Sequence, residues 1–103
     1  MNVEFGIVND NILIREKYVD IKINDIPQMI DEDAPFMFCE VLEASYDSKE
    51  ALDISKGDIV IIKRYGKEEF LSGLFFISHK DVRCIIKPDE FNKLINEGLI
   101  LER

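Results

Sequence analysis

LDISKGDIVIIKRYG, residues 52–66, gives the main indication of how this chain is expected to fold. Its polar beginning ends at Gly57 and Asp58, residue types that favour a tight turn. The next four residues, IVII at 59–62, are β-formers and are apolar on both faces of a strand. Such a strand is buried on both sides. The pattern favours a central strand closed inside a small barrel, with the other strands arranged around it.

Length and charge limit the class of protein that the sequence can encode. The chain has 103 residues, enough for one domain with a modest core. The hydrophobic content of 47% argues against disorder, and no apolar run is long enough for a membrane-spanning helix. The formal net charge of −8 repels phosphate backbones and anionic membrane surfaces. We therefore expect a soluble globular domain with no nucleic acid and no membrane as partner.

The N-terminal residues and the cysteines bear on the compartment. MNVEFGIVND lacks a basic region followed by an apolar one, so we expect no secretory signal and a cytoplasmic protein. Cys39 and Cys84 have no second Cys or His at ligand spacing, which argues against a metal site. We expect both thiols to be free and buried. A single disulfide between them is the alternative.

Short β-prone runs separated by turn signals predict an all-β fold. A strand over 36–44 is followed by a loop over 45–56, and two short strands joined at Ser72 and Gly73 predict a hairpin. The remaining strands are expected at 11–18 and 82–87. Several short strands at this spacing predict a small irregular β-barrel.

The chain closes with the signals of a short helix. A proline at the first helical position and a glycine after the end bound a two-turn helix within residues 88–98. Phe91, Leu94 and Ile95 recur at helical spacing and form its apolar stripe. Residues 99–101 predict either a terminal strand or an apolar tail that packs back on the domain.

Residues 20–35 do not fit the pattern of the rest. They carry five carboxylates, two prolines and several apolar side chains without a sustained helical or strand period. A loop of this length in a small domain is usually functional or disordered. Three interpretations stay open: a partner-binding loop, an ordered connector, or a short helix around residues 26–30.

Residues that could support catalysis are few. His79 is the only histidine and lies in a polar turn, which predicts a solvated surface imidazole. The serines lie in turns without the spacing of a nucleophile elbow, and the acidic run 31–33 is typical of a solvated loop. The glycines are scattered, and the basic residues at 63–67 are followed at once by glutamates, as in a solvated turn. We expect no enzyme activity, no cofactor and no metal.

Four segments, in order, resemble the GroES-type co-chaperonins. Residues 52–66 are similar to the family's Gly-Asp turn and buried strand that lead to a Tyr-Gly pair. LFFISHKDVRCIIK, residues 74–87, resembles its closing strand, polar turn and final strand. NDNILIREKYV at 9–19 resembles the opening strand, and FCEVLEAS at 38–45 the strand that leaves the family's long loop.

The resemblance implies a fold and a partner. It implies a GroES-like barrel over residues 1–87 that assembles as a homo-oligomer, a ring of seven, and caps a GroEL-type chaperonin to assist protein folding without catalysis. It also implies that residues 20–35 form a mobile loop whose apolar side chains bind the chaperonin. Four residues near the middle of that loop are the candidate contacts: Ile26, Pro27, Met29 and Ile30.

The sequence also departs from the family pattern. The loop lacks the family's glycines, the roof hairpin is shortened to residues 45–51, and residues 88–103 extend beyond the last strand of the family. Divergence in loops and tails is typical of virus-encoded relatives. The alternative is a structural or interaction module, in a virion or a regulatory complex, that uses the C-terminal helix for a different assembly. A helix that leaves the strand edges free favours the co-chaperonin, and one that covers an edge favours the module.

Overall fold

Short strands make up most of the computed structural model, which describes residues 6–30 and 33–103. The strands of this part of the chain are β1 (Asn11–Lys17), β2 (Val19–Ile23), β3 (Ile26–Met29), β4 (Phe36–Ala44), β5 (Ile59–Lys63), β6 (Glu68–Leu71), β7 (Leu74–Ser78), β8 (Val82–Ile86) and β9 (Ile100–Glu102). Two helices accompany them, α1 (Tyr46–Leu52) and α2 (Pro88–Asn96), and a 3₁₀ turn spans His79–Asp81. The prediction of a β-rich domain with a C-terminal helix is confirmed.

The strands form two sheets. The larger is antiparallel with the order β6-β7-β1-β4-β5-β8, and the smaller has the order β3-β2-β9. β6 and β8 end the larger sheet and do not pair with each other, so the predicted closed barrel is wrong. The physical reason is that β1 ends at Lys17 and the chain continues as β2 of a second sheet, which covers one face of the first instead of closing it.

The inner core lies on one face of the larger sheet. Side chains at alternate positions of its strands point into it, as the period of two requires. Its buried members are Ile12, Ile14, Met37, Cys39, Val41, Ala44, Ile54, Val60, Ile62 and Ile77. Leu52 at the end of α1 packs against this cluster, so α1 covers part of the same face.

The outer core lies on the opposite face. Its buried residues are Val19, Phe38, Ile59, Phe91 and Ile100, contributed by both sheets and by α2. Residues 59–62 therefore supply side chains to both cores, and the prediction of a strand buried on two sides is confirmed. What covers the second side is α2 with the smaller sheet.

The helices correct one prediction and confirm another. Residues 46–52 form α1 where a loop was predicted, because the Ser45 hydroxyl accepts a hydrogen bond from the Ser48 N–H and caps the first turn. α2 begins with Pro88 and is followed by Gly98 at φ +76°, as predicted. Residues 100–102 form a strand, which decides between the two alternatives for the C-terminal residues.

The turn before β5 is built around Asp58. Gly57 has φ +93°, a conformation that favours glycine, and the buried Asp58 carboxylate accepts a hydrogen bond from the Ser55 N–H at 2.9 Å. The predicted tight turn is confirmed. The hairpin of β6 and β7, turning at Gly73 with φ +81°, is confirmed as well.

The two cysteines differ in burial. Both thiols are free, and Cys39 is buried in the inner core as predicted. Cys84 on β8 is exposed, so the prediction of a second buried cysteine is wrong. β8 is an end strand, and its register with β5 shifts between Ile61 and Ile62.

Candidate interaction surface

The segment predicted as a mobile loop forms a β-hairpin. β2 and β3 pair antiparallel from Asp20 opposite Met29 to Ile23 opposite Ile26. The two turn residues, Asn24 and Asp25, have φ of 52° and 65°. Two left-handed residues in succession make the type I′ geometry that matches the twist of a hairpin, and Asn and Asp tolerate it better than most residues. The loop prediction for residues 20–35 is therefore wrong over the hairpin.

The C-terminal residues fix the base of this hairpin through the Arg103 side chain and through backbone hydrogen bonds. The Arg103 guanidinium donates to the Ile30 carbonyl at 2.6 Å and lies 3.1 Å from the Asp20 carboxylate. The Arg103 N–H donates to the Tyr18 carbonyl at 2.9 Å, and the Lys22 N–H donates to the Leu99 carbonyl at 2.9 Å. The hairpin is thus one part of a three-stranded sheet whose third strand is β9.

The four residues predicted to contact a partner are not all on one surface. Ile26 lies opposite Ile23, so these two share a face, whereas Pro27 and Met29 lie on the other face of β3. Ile30 follows the strand, is half-buried and packs against the outer core. The structure brings Ile26 next to Ile23, a residue outside the predicted set, and packs part of the Ile30 side chain against the outer core.

β3 is nevertheless an exposed apolar strand. All four of its residues are exposed, with Ile26 and Met29 each 60% exposed and Ile23 on β2 55% exposed. Within residues 6–30 and 33–103, no strand pairs with its outer edge. Pro27 lacks an N–H at the middle of that edge, which limits the addition of a further strand. The surface offers apolar side chains rather than a continuous row of backbone donors.

A Ser–His contact that the sequence did not predict lies elsewhere. Ser48 Oγ is 3.0 Å from His79 Nδ1 and accepts a hydrogen bond from Ser45 Oγ at 2.8 Å. A nucleophile needs access to a substrate, and Ser48 has no exposed surface. The group ties α1 to the 3₁₀ turn, so His79 is half-buried and hydrogen-bonded, and the prediction of a solvated imidazole is wrong. Residues 31 positions apart in sequence give no local signal of such a contact.

The basic residues at 63–67 also have a structural role. Arg64 is buried, donates from Nε to the Ala34 carbonyl at 2.7 Å, and lies 3.4 Å from Glu16 Oε2. Lys67 Nζ donates to the Arg64 carbonyl at 3.1 Å. These contacts connect the turn after β5 to β1 and to the residue pair before β4. The prediction of a solvated turn is wrong for Arg64.

The described residues contain neither a metal-binding cluster nor a membrane-spanning helix. In the described part of the chain, no three His, Cys, Asp or Glu side chains come together to hold a metal. Asp31 and Glu32 of the acidic run lie outside the described residues. No helix in residues 6–30 and 33–103 has the length and apolarity needed to cross a bilayer.

Comparison with known proteins adds no relative. No protein-family model, no curated protein and no solved structure matches the chain.

Proposed function

We propose that this protein is a non-catalytic interaction module whose β2–β3 hairpin binds a partner protein. The observation that carries the proposal is the exposure of Ile23, Ile26 and Met29 on a hairpin whose base is fixed. Exposed large apolar side chains on an ordered element lose little conformational entropy on binding. Grouped apolar residues of this kind are typical of binding surfaces.

The mode of binding follows from the strand edge. Pro27 interrupts the backbone donors of β3, so the hairpin is better suited to place its side chains in an apolar groove than to extend a partner's sheet. Ile23 and Ile26 would enter the groove from one face. Met29, on the opposite face, would adapt to its wall because its side chain is flexible.

A chaperonin ring is the specific partner that the sequence resemblance favours. Ile26 and Met29 are exposed at the position where the resemblance places the chaperonin contact. One hairpin buries little area, so capping would require a homo-oligomer, such as a ring of seven, in which several weak contacts act together. The protein would then assist folding without chemistry of its own.

A structural module in a different assembly is the second candidate. α2 packs on the face of its own larger sheet and leaves the outer edges of β6 and β8 unpaired in the described residues. β9, however, pairs with β2 and covers that strand's edge. The free edges of β6 and β8 favour the co-chaperonin, and the covered edge of β2 favours the structural module. Binding experiments are therefore needed to identify the partner.

Mass in solution tests both candidates. Light scattering of the purified protein, alone and with a chaperonin and ATP, is expected to show an oligomer and a chaperonin complex if the protein is a cap. Ile26→Ser and Met29→Ser are expected to remove the complex, whereas Leu71→Ser, an exposed apolar residue at another hairpin, should leave it unchanged. A monomer that binds no chaperonin refutes capping and leaves the second candidate.

The broader proposal has its own test. Affinity capture with the wild-type chain, followed by direct binding measurements with each purified protein it retains, should give a partner that Ile26→Ser loses and Leu71→Ser keeps. If substitution of Ile23, Ile26 and Met29 leaves the affinity for the partner unchanged, the hairpin is not the binding surface.

A further inference from the structure

A cavity of about 440 Å³ lies between the β6–β7 hairpin and residues 6–8. Its walls come from residues 6–8, from the strands β6 and β7, from the turn at Gly66 and from the 3₁₀ turn. A volume in this range is typical of sites for small ligands. None of its lining residues belongs to the β2–β3 hairpin, so it is a separate feature of the molecule.

An aromatic pair forms one wall of the cavity. The rings of Phe70 and Phe76 stack with centroids 5.0 Å apart and an angle of 18° between their planes. Glu68 lies directly opposite Phe76 in the strand pairing, so its side chain shares their face. An aromatic wall attracts flat apolar groups and cations, since the π-electrons of an aromatic ring attract positive charge.

Two carboxylates bring negative charge to the same cavity. Glu68 and Asp81 both line it, and within residues 6–30 and 33–103 neither forms an ion pair. Asp81 Oδ2 lies beside Gly66, 3.5 Å from the position that a Cβ would take there, which is an ordinary van der Waals distance. No Lys, Arg or His is among the described lining residues.

The neighbouring lysine does not neutralise this charge. Lys67 Nζ donates to the Arg64 carbonyl and lies 5.1 Å from the centroid of Phe75. Phe75 precedes Phe76 in β7, so the two rings are on opposite faces of the strand. The ammonium of Lys67 is therefore placed away from the face that carries the cavity.

We propose that this cavity binds an organic cation, a primary ammonium or guanidinium group carried on a flat apolar body. The body would lie against Phe70 and Phe76, and the cation would pair with Glu68 and Asp81. An anion would be repelled by both carboxylates, and a neutral analogue would leave them without a partner. The cation could belong to a free amine or to a basic side chain of a peptide, because both present the same chemistry.

Titrations followed by NMR test the site with phenethylamine as the probe. Saturable shifts are expected at the amides of Gly66, Phe76 and Ser78. Phenethyl alcohol, the neutral analogue, and phenylacetate, the anionic one, are expected to bind at least about tenfold more weakly, the factor that corresponds to one charge-assisted contact. Equal binding of the alcohol and the amine, or no saturation at millimolar amine, overturns the proposal.

Charge-neutral variants locate the contact. Glu68→Gln and Asp81→Asn are each expected to weaken amine binding by about tenfold. Glu69→Gln, the matched control, removes the same charge from the neighbouring position of β6, which does not line the cavity, and should leave the affinity unchanged. Thermal unfolding of each variant establishes that it is folded. If Glu69→Gln weakens binding as much as the other two, the attraction is unspecific and the proposal fails.

A second probe distinguishes the sources of the cation. Acetyl-Phe-Lys-amide carries the same ring and ammonium on a peptide, and a higher affinity for it than for phenethylamine identifies a peptide ligand. The reverse order identifies a free amine. These titrations do not involve Ile26, so the cavity and the proposed hairpin surface can fail independently.

Discussion

Lys87 Nζ lies 2.7 Å from Asp58 Oδ2, so the residue that immediately precedes α2 is joined to the turn before β5. Asp58 is 2% exposed, and its Oδ2 also accepts a hydrogen bond from the Ser55 N–H. Lys87 Nζ donates in addition to the Asp53 carbonyl at 2.7 Å. One buried carboxylate therefore holds the stretch that precedes the central strand against the start of the C-terminal helix.

Removing the cation from this pair should destabilise the fold. Lys87→Met is expected to lower the free energy of unfolding by about 2 kcal/mol at pH 7, because Asp58 stays buried with one N–H donor. Asp58→Asn in the Lys87→Met background should recover part of that loss, since the amide carries no charge. Urea unfolding of the two single variants and the double variant measures the coupling. If the effects of the two substitutions on the free energy of unfolding are strictly additive, Lys87 and Asp58 are not coupled.

The N-cap of α1 gives a second prediction. Ser45→Ala removes the acceptor of the Ser48 N–H and is expected to cost about 1 kcal/mol of stability. Tyr46→Ala, at the exposed first position of the same helix, is the control and should change stability by less than half as much. Thermal unfolding of both variants provides the comparison. A cost for Tyr46→Ala equal to that for Ser45→Ala would show that the cap is not the cause.

The two thiols should differ in reactivity. Burial, with a smaller contribution from the Glu16 carboxylate, raises the pKa of Cys39 to about 12, so this thiol is protonated at neutral pH. Cys84 is exposed. At pH 8 an aromatic disulfide reagent should therefore modify one thiol rapidly, and mass spectrometry of the peptides should identify it as Cys84. Cys39 should react only after denaturant is added. Rapid modification of Cys39 in the native protein would contradict its burial.

Asp10 is expected to titrate below its ordinary range. The hydrogen bond that Ser78 Oγ donates to Asp10 Oδ2 at 2.6 Å lowers the pKa of this carboxyl, with further contributions from His79 and Lys80. Because the folded state favours the ionised form, the contact stabilises the protein above the ordinary pKa and is lost as pH falls through the lowered one. Carbon NMR of the carboxyl measures the titration. Ser78→Ala should raise the pKa of Asp10, and an unchanged titration would exclude the hydrogen bond as the main cause.

The hairpin turn provides the last prediction. Asp25→Gly relieves a left-handed non-glycine residue and is expected to stabilise the protein by about 0.5 kcal/mol. Asp25→Val places a β-branched residue at φ 65° and should destabilise it by about 1–2 kcal/mol. Unfolding in denaturant measures both. If Val is tolerated as well as Gly, the turn does not have the type I′ conformation in solution.

The hairpin shows why the candidate surface was only partly predictable. Asn24-Asp25 between alternating apolar residues is a hairpin signal in the sequence, yet the two prolines and the acidic residues nearby favoured a loop. The pairing that fixes the hairpin is with β9, and the Arg103 contact with Ile30 joins residues 73 positions apart. No local pattern records a contact of that range.

Helix α1 was missed for a different reason. It has seven residues and one buried position, Ser48, so it lacks the apolar stripe by which a helix is normally recognised. Ser45 is a residue type that favours the N-cap position and was a usable signal for the start of α1. Its hydrogen bond to Ser48 is, however, part of a group that includes His79, and this group forms only in the folded protein. The longer α2, with a proline start, a glycine end and a regular stripe, was predictable from the same rules.

Local residue patterns were enough to predict the β-rich class, the buried strand at 59–62, the Gly57-Asp58 turn and α2, because each depends on residue types within a few positions of one another. The cover on the outer face of that strand depends on long-range packing, which places α2 and the smaller sheet there. Apolar side chains on both faces of the strand have to be buried. The hydrophobic effect is not directional, so a closed barrel and a second layer of structure bury these side chains equally well. The same limit applies to Ile26, which is exposed, and Ile30, which is half-buried, because this difference depends on the pairing with β2 and β9.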